Sequence, residues 1–135
     1  MNSKTARTLA IPFLATALVA GAQDYSTHTG AELYKRFCVS CHGAAGKGDG
    51  PVGKLLIVKP PDLSSIAARR GGAFPEAAVR RIIDGRDVMT AHGGRDMPVW
   101  GTEFSRVETS DASGARTADS LIDRLVSHLR TLQVP

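Results

Sequence analysis

Cys38-Val39-Ser40-Cys41-His42 holds both cysteines of the chain and a histidine in a single pentapeptide. Side chains three positions apart share one face of a helical turn. Two thiols so placed reach the two vinyl groups of one porphyrin, and the next side chain, His42, then points at the iron. Cys-x-x-Cys-His is the attachment signature of a c-type haem. Other chemistries fit these residues less well. A disulfide between Cys38 and Cys41 closes too small a loop to constrain the unfolded chain much. A thioredoxin-like pair needs a βαβ setting, and no strand pattern precedes Cys38. A zinc site needs four ligands, usually as two spaced pairs, and His28, His92 and His128 are scattered.

Upstream of this motif the chain begins as an export signal. Lys4 and Arg7 form a positive n-region, and Leu9 to Ala20 is apolar apart from Pro12 and Thr16. Ala20-Gly21-Ala22 then resembles a signal-peptidase site ahead of polar Gln23 and Asp24. The apolar run is short of the ~20 residues that span a bilayer, although an uncleaved N-terminal anchor is the competing reading. The expected division is a signal peptide over 1–22 and one domain over 23–135, with no stable membrane insertion after cleavage. Thioethers form from reduced thiols outside the cytoplasmic membrane of bacteria, so export and the two cysteines agree. The expected location is periplasmic.

The 135-residue chain is only 5% aromatic, and a domain of this size is thinly supplied with core. A flat apolar macrocycle at the centre supplies what is missing, and the haem-free chain is expected to be largely unfolded or molten. Charge is uneven. Lys35 to Arg95 carries eleven Lys and Arg against five Asp and Glu, whereas 23–34 and 96–135 are each acidic by two. The basic residues are not interleaved with aromatics and the total excess is small, which excludes a nucleic-acid binder. The basic middle is a solvated face with propionate partners, or a rim for docking acidic redox proteins.

Thr29 to Cys38 reads as a helix, with Thr29 and Glu32 spaced as a capping box and Leu33, Tyr34 and Phe37 as its apolar stripe. Gly43 to Gly53 is a glycine-rich loop. Gly48-x-x-x-x-Gly53-Lys54 comes near a phosphate-binding P-loop, but Leu55 stands where Ser or Thr holds magnesium. These glycines are expected instead to let the backbone pass close to the porphyrin. Leu63 to Arg70 predicts a short helix, and Pro75 to Asp84 a clearer one ended by Gly85. Thr109 to Thr117 reads as a polar loop. Asp119 or Ser120 then caps a terminal helix striped by Leu121, Leu125, Leu129 and Leu132. No stretch alternates as a strand does, so the fold class is all-α.

Taken in order, these elements resemble the monohaem class I c-type cytochromes of bacterial periplasms, over almost the whole chain after residue 22. The match runs through Gly30-x-x-x-Tyr34-x-x-Phe37-Cys38-x-x-Cys41-His42, Gly46-x-Gly48-Asp49-Gly50-Pro51 and Pro60-Pro61-Asp62-Leu63. It continues through Phe74 to Gly85, Asp96-Met97-Pro98-Val99-Trp100-Gly101 and the leucine-rich terminal helix. The resemblance implies a cytochrome c fold of about three to five helices around one covalently bound haem, with the first and last helices crossing through a small residue and an aromatic. Gly30 and Tyr34 suit that crossing. His128 stands where the family usually carries an aromatic, which predicts a looser contact. The segment from Trp100 to Leu121 is longer than in compact members and reads as a solvated surface insertion.

The second axial ligand decides the chemistry, and the candidates are Met89, His92 and Met97. Met97 is preferred because Pro98 stiffens the backbone beside it and restricts Met97 to extended geometry. Cofactor-binding residues are therefore Cys38, Cys41, His42 and Met97, with iron between His42 and Met97. A thioether opposite imidazole favours ferrous iron and raises the potential. This ligand set implies an electron-transfer protein, not an enzyme: a periplasmic carrier, or the haem subunit of a respiratory redox chain. Its partners would be redox proteins, acidic or membrane-bound, and the chain a monomer or one subunit of a redox complex. The alternative is a haem enzyme or gas sensor with an open distal face, for which His92 and Arg95 are the available acid–base pair. Pro51 or Pro60 is expected to accept from the proximal imidazole, Arg86 and Arg95 are candidates for the propionates, and Trp100 is expected to be buried.

Overall fold

The computed structural model describes residues 24–87, 97–108 and 112–135. The signal peptide expected over 1–22, and the candidates Met89, His92 and Arg95, lie outside the described residues. Five α-helices and three 3-10 turns make up the described chain, and no strand occurs among its residues. The helices are α1 (Gly30–Phe37), α2 (Val39–His42), α3 (Glu76–Asp84), α4 (Trp100–Glu108) and α5 (Ala112–Thr131).

Local chemistry starts α1 where the sequence predicts. The Glu32 N–H donates to the Thr29 hydroxyl at 3.2 Å, and the Thr29 N–H donates to the Glu32 carboxylate at 2.8 Å. Both arms of the capping box are thus present. The helix stops one residue earlier than expected. Cys38 donates its N–H to the Tyr34 carbonyl at 2.9 Å and then caps α2, a single turn that carries the rest of the motif. Farther on, α3 follows Pro75 and ends at Gly85, whose φ of +86° needs no Cβ.

The terminal third departs from the sequence expectation. Of the loop expected over Thr109 to Thr117, the described part from Ala112 onward is helix: α5 starts there, seven residues ahead of Asp119. Nor is the segment after Trp100 a solvated insertion. It forms α4, which packs along α5 and buries Phe104 to 1% exposure. Trp100, Phe104 and Val107 recur at helical spacing, and so short a helix is stabilised by the apolar face it shares with α5. On α5, Ala118, Ile122 and Val126 are buried beside Leu121, Leu125 and Leu129, so the buried face is wider than the predicted leucine stripe. Leu132 is half-buried at its end.

The core joins Leu33 and Tyr34 of α1, Val79 and Ile83 of α3, Phe104 of α4 and the α5 face. The α1–α5 contact is not loosened by histidine. A Cβ on Gly30 would overlap the Arg124 carbonyl of α5, so the two backbones meet directly. Beside them the His128 ring packs on Tyr34, with centroids 5.2 Å apart. The Arg124 guanidinium caps the same crossing by donating to the Ser26 and His28 carbonyls at 2.8 and 2.5 Å. Outside the core, Arg80 of α3 pairs with Asp119 and Asp123 of α5 at 2.7 and 2.8 Å. Such exposed pairs contribute ~0–1 kcal/mol each. The chain end is tied down by side-chain amide bonds: Gln133 accepts from the Ala67 N–H and donates to the Leu63 carbonyl, each at 2.8 Å.

Two outcomes follow from the crossing. Gly30→Ala forces the backbones apart and is expected to cost about 1–3 kcal/mol in urea unfolding, in line with other overpacked contacts. Burial holds the His128 imidazole below its ordinary pKa. A histidine depressed in the folded state stabilises the fold fully above its unfolded pKa, and that contribution is lost as pH falls through the folded value. Arg124 on α5 and Tyr34 on α1 are the ionisable groups beside it. Stability of the holo-protein should therefore drop between pH ~7 and ~5, and drop less in His128→Phe.

Candidate haem-attachment site

The turn Cys38–His42 is held from both sides by main chain. On the α1 side, the Tyr34 hydroxyl donates to the Gly43 carbonyl at 2.8 Å, directly after His42. Burial pushes the Tyr34 phenol up to about 12, so it remains a donor. On the loop side, the Val52 N–H donates to the Ser40 carbonyl at 2.9 Å and the Gly48 N–H to the His42 carbonyl at 2.8 Å. The Cys41 carbonyl lies against Gly53, where a Cβ would overlap it. Gly50 is pressed against the Val39 and Ser40 carbonyls in the same manner. Gly50 and Gly53 thus serve close approach to the motif's own backbone. Leu63 closes the loop by donating its N–H to Gly46 at 2.6 Å.

Cys38 and Cys41 are both free and half-buried. Burial, with Cys41 adding to it, pushes the Cys38 thiol up to about 12. A redox dithiol needs the reverse, a thiol whose pKa is lowered. Burial also lowers the His42 pKa, which keeps the imidazole neutral and able to ligate. The Pro61 carbonyl approaches His42 and works against that shift, yet Nδ1 is buried without a hydrogen bond of good geometry. The carbonyl beside the imidazole therefore belongs to Pro61, and not to Pro51 or Pro60. A half-buried, neutral imidazole with two free thiols beside it on the same turn fits covalent haem attachment.

Met97 sits at the start of the segment leading into α4. Val99 accepts from the Thr102 and Glu103 N–H groups at 3.0 and 3.1 Å, so helix begins immediately after Met97-Pro98. The end of α3 and the start of α4 meet directly. Gly101 lies against Asp84 at the end of α3, where a Cβ would overlap the carboxylate. Arg86 pairs with that same Asp84, which gives this candidate propionate partner a protein counter-charge. Met97 is half-buried and packs on the same core as Cys38, Val39, Leu63, Ile66 and Phe74. Trp100 is only partly buried; it stacks on Phe104 at 5.5 Å and touches Phe37 at 5.3 Å. Two surface concavities lie elsewhere, one between α1 and α5 and one between α3 and α5.

Pro61 and Asp84 are positioning residues the sequence left without a role, and the Tyr34 hydroxyl adds a hydrogen bond to the packing role the sequence gave it. Tyr34 carried a signal, an aromatic four residues ahead of Cys38. Asp84 carried none, because its partner Gly101 is distant in sequence.

A family model described as cytochrome c oxidase, cbb3-type, subunit III matches residues 26–113. The chain belongs to this family. No curated protein and no solved structure matches it. Membership in a c-type cytochrome family makes the cofactor haem c, covalently bound with its iron, and the chemistry electron transfer in a respiratory chain. The matched span contains the motif, the glycine loop, α3 and α4 and ends at the start of α5. No described helix is long and apolar enough to cross a membrane. Tyr34→Phe should strip the Gly43 carbonyl of its donor and cost about 1–2 kcal/mol in holo-protein unfolding, with haem still attached by mass.

Proposed function

We propose that this chain is a one-electron carrier, or the haem-bearing subunit of a membrane-bound redox complex, working in the periplasm after removal of residues 1–22. Cys38 and Cys41 hold the haem through thioethers, and His42 and Met97 are the axial ligands. When bound, the haem supplies one-electron exchange between ferric and ferrous iron. The protein's part is to fix and shield. The Ser40, Cys41 and His42 carbonyls, each engaged by the glycine loop, keep the His42 ring from turning away as charge changes. The Pro61 carbonyl faces the buried side of that ring, and a carbonyl there raises the basicity of a ligating imidazole. Met97 directly precedes α4, whose start is fixed on α3 by the Asp84–Gly101 contact, which suits a ligand that must not be displaced.

The observation that carries the reading is the placement of Cys38 and Met97 against one core from opposite ends of the sequence motif set. A thioether completing the coordination leaves no position for substrate. That distinguishes a carrier from the enzyme or gas-sensor alternative, which depends on His92 and Arg95 outside the described residues. A basic stretch around the motif suits acidic faces on its redox partners.

Carbon monoxide added to the ferrous holo-protein tests this directly. The wild type should bind it slowly or not at all, and its ferric spectrum should show the weak far-red sulfur-to-iron band. Met97→Ala should lose the band, bind carbon monoxide rapidly and lower the potential. Rapid, tight binding by the wild type overturns the reading.

A further inference from the structure

The inner side of the 43–62 loop is used to hold the haem-attachment turn; its outer side is not. Among the described residues the exposed large hydrophobics are Val52, Leu55, Ile57 and Val134. Three of these lie on this loop, and Leu55 and Ile57 are 85% and 101% exposed. They belong to Leu55-Leu56-Ile57-Val58, an apolar run bracketed by Lys54 and Lys59. Burial alternates along the run. Leu56 and Val58 are half-buried and anchor it, while Leu55 and Ile57 stand outward between two exposed lysines.

This tip is structured. The Lys54 N–H donates to the Gly50 carbonyl at 3.1 Å and the Leu55 N–H to the Val52 carbonyl at 2.9 Å. The Lys59 ammonium closes the run by donating to the Lys54 carbonyl. Scattered exposed aliphatics are ordinary, but two on an ordered tip with a cation at each end form a pattern. Lys47 adds a third exposed cation to the loop. The acids nearby are Asp49, turned onto Gly43, and Asp62, which accepts from Ser64. Charge at the tip itself is wholly positive.

We infer that this tip is a contact for an anionic lipid surface, with Leu55 and Ile57 entering the boundary between headgroups and acyl chains and Lys54 and Lys59 pairing with headgroup phosphates. Composition favours lipid over protein. Protein interface cores draw on aromatics, Met and Arg and are depleted in Lys, and Leu and Val seldom dominate their energetics. The tip has only aliphatics and lysines, the chemistry of peripheral membrane contact. Because Val52 and Gly53 rest on the Ser40 and Cys41 carbonyls, a tip seated on lipid sets the haem-attachment turn beside the membrane surface. The inference does not depend on Met97 as ligand, and either can fail alone.

Sedimentation of the holo-protein with vesicles tests it. Vesicles of phosphatidylcholine with about a third phosphatidylglycerol should bind the protein at low salt and release it as ionic strength rises, and phosphatidylcholine alone should bind it weakly. Leu55→Ser with Ile57→Ser, and separately Lys54→Gln with Lys59→Gln, should each weaken binding to the anionic vesicles about tenfold or more. Both variants should keep the wild-type haem spectrum, since all four altered side chains are exposed. Absence of binding by the wild type overturns the inference, as does retention of binding by either variant. So does a Leu55- and Ile57-dependent dimer, or docking to an acidic protein, in place of vesicle binding.

Discussion

Because Gly30 lacks a side chain, the α1 backbone comes into contact with the Arg124 carbonyl of α5, and the position of everything after α1 is set from that crossing. One turn farther on, Tyr34 packs on His128 and reaches with its hydroxyl to the Gly43 carbonyl. The crossing therefore fixes the near end of the haem-attachment turn through a rigid aromatic. The far end is fixed by the glycine loop, which in turn is closed onto the Leu63–Ser65 turn. Val134 donates its N–H to Ser64 at 2.9 Å, so the end of the chain after α5 also holds that turn. Both supports of the Cys38–His42 turn thus trace back to α5.

The same economy of parts appears beside Met97. Asp84 ends α3, lies over Gly101 at the start of α4 and pairs with Arg86. One carboxylate thus joins the end of α3 to the start of α4, the helix that follows Met97-Pro98. Electron transfer benefits from helices fixed in this way, since little then has to move when the charge on the iron changes.

Features written in local chemistry were legible in the sequence. The capping box at Thr29, the stop at Gly85 and the Cys38–His42 motif each depend on residues within one helical turn of each other. What depended on distant partners was not legible. The start of α5 has a polar, Ser- and Thr-containing sequence and α4 is short, and both take their helical state with the packing of Phe104 and Ala118 into a shared core. Pro61 was missed in favour of its neighbours because the path of the loop decides which carbonyl faces His42. His128 misled for the same reason: the closeness of the crossing is set by Gly30, and the ring only fills the space beside it.

Potentiometric titration of the holo-protein, followed by its optical spectrum, tests most directly whether His42 and Met97 hold one haem for one-electron exchange. The account predicts a single one-electron transition at positive potential, with low-spin spectra in both oxidation states, as a thioether opposite imidazole requires. A high-spin spectrum in either state, or a strongly negative potential, would contradict it.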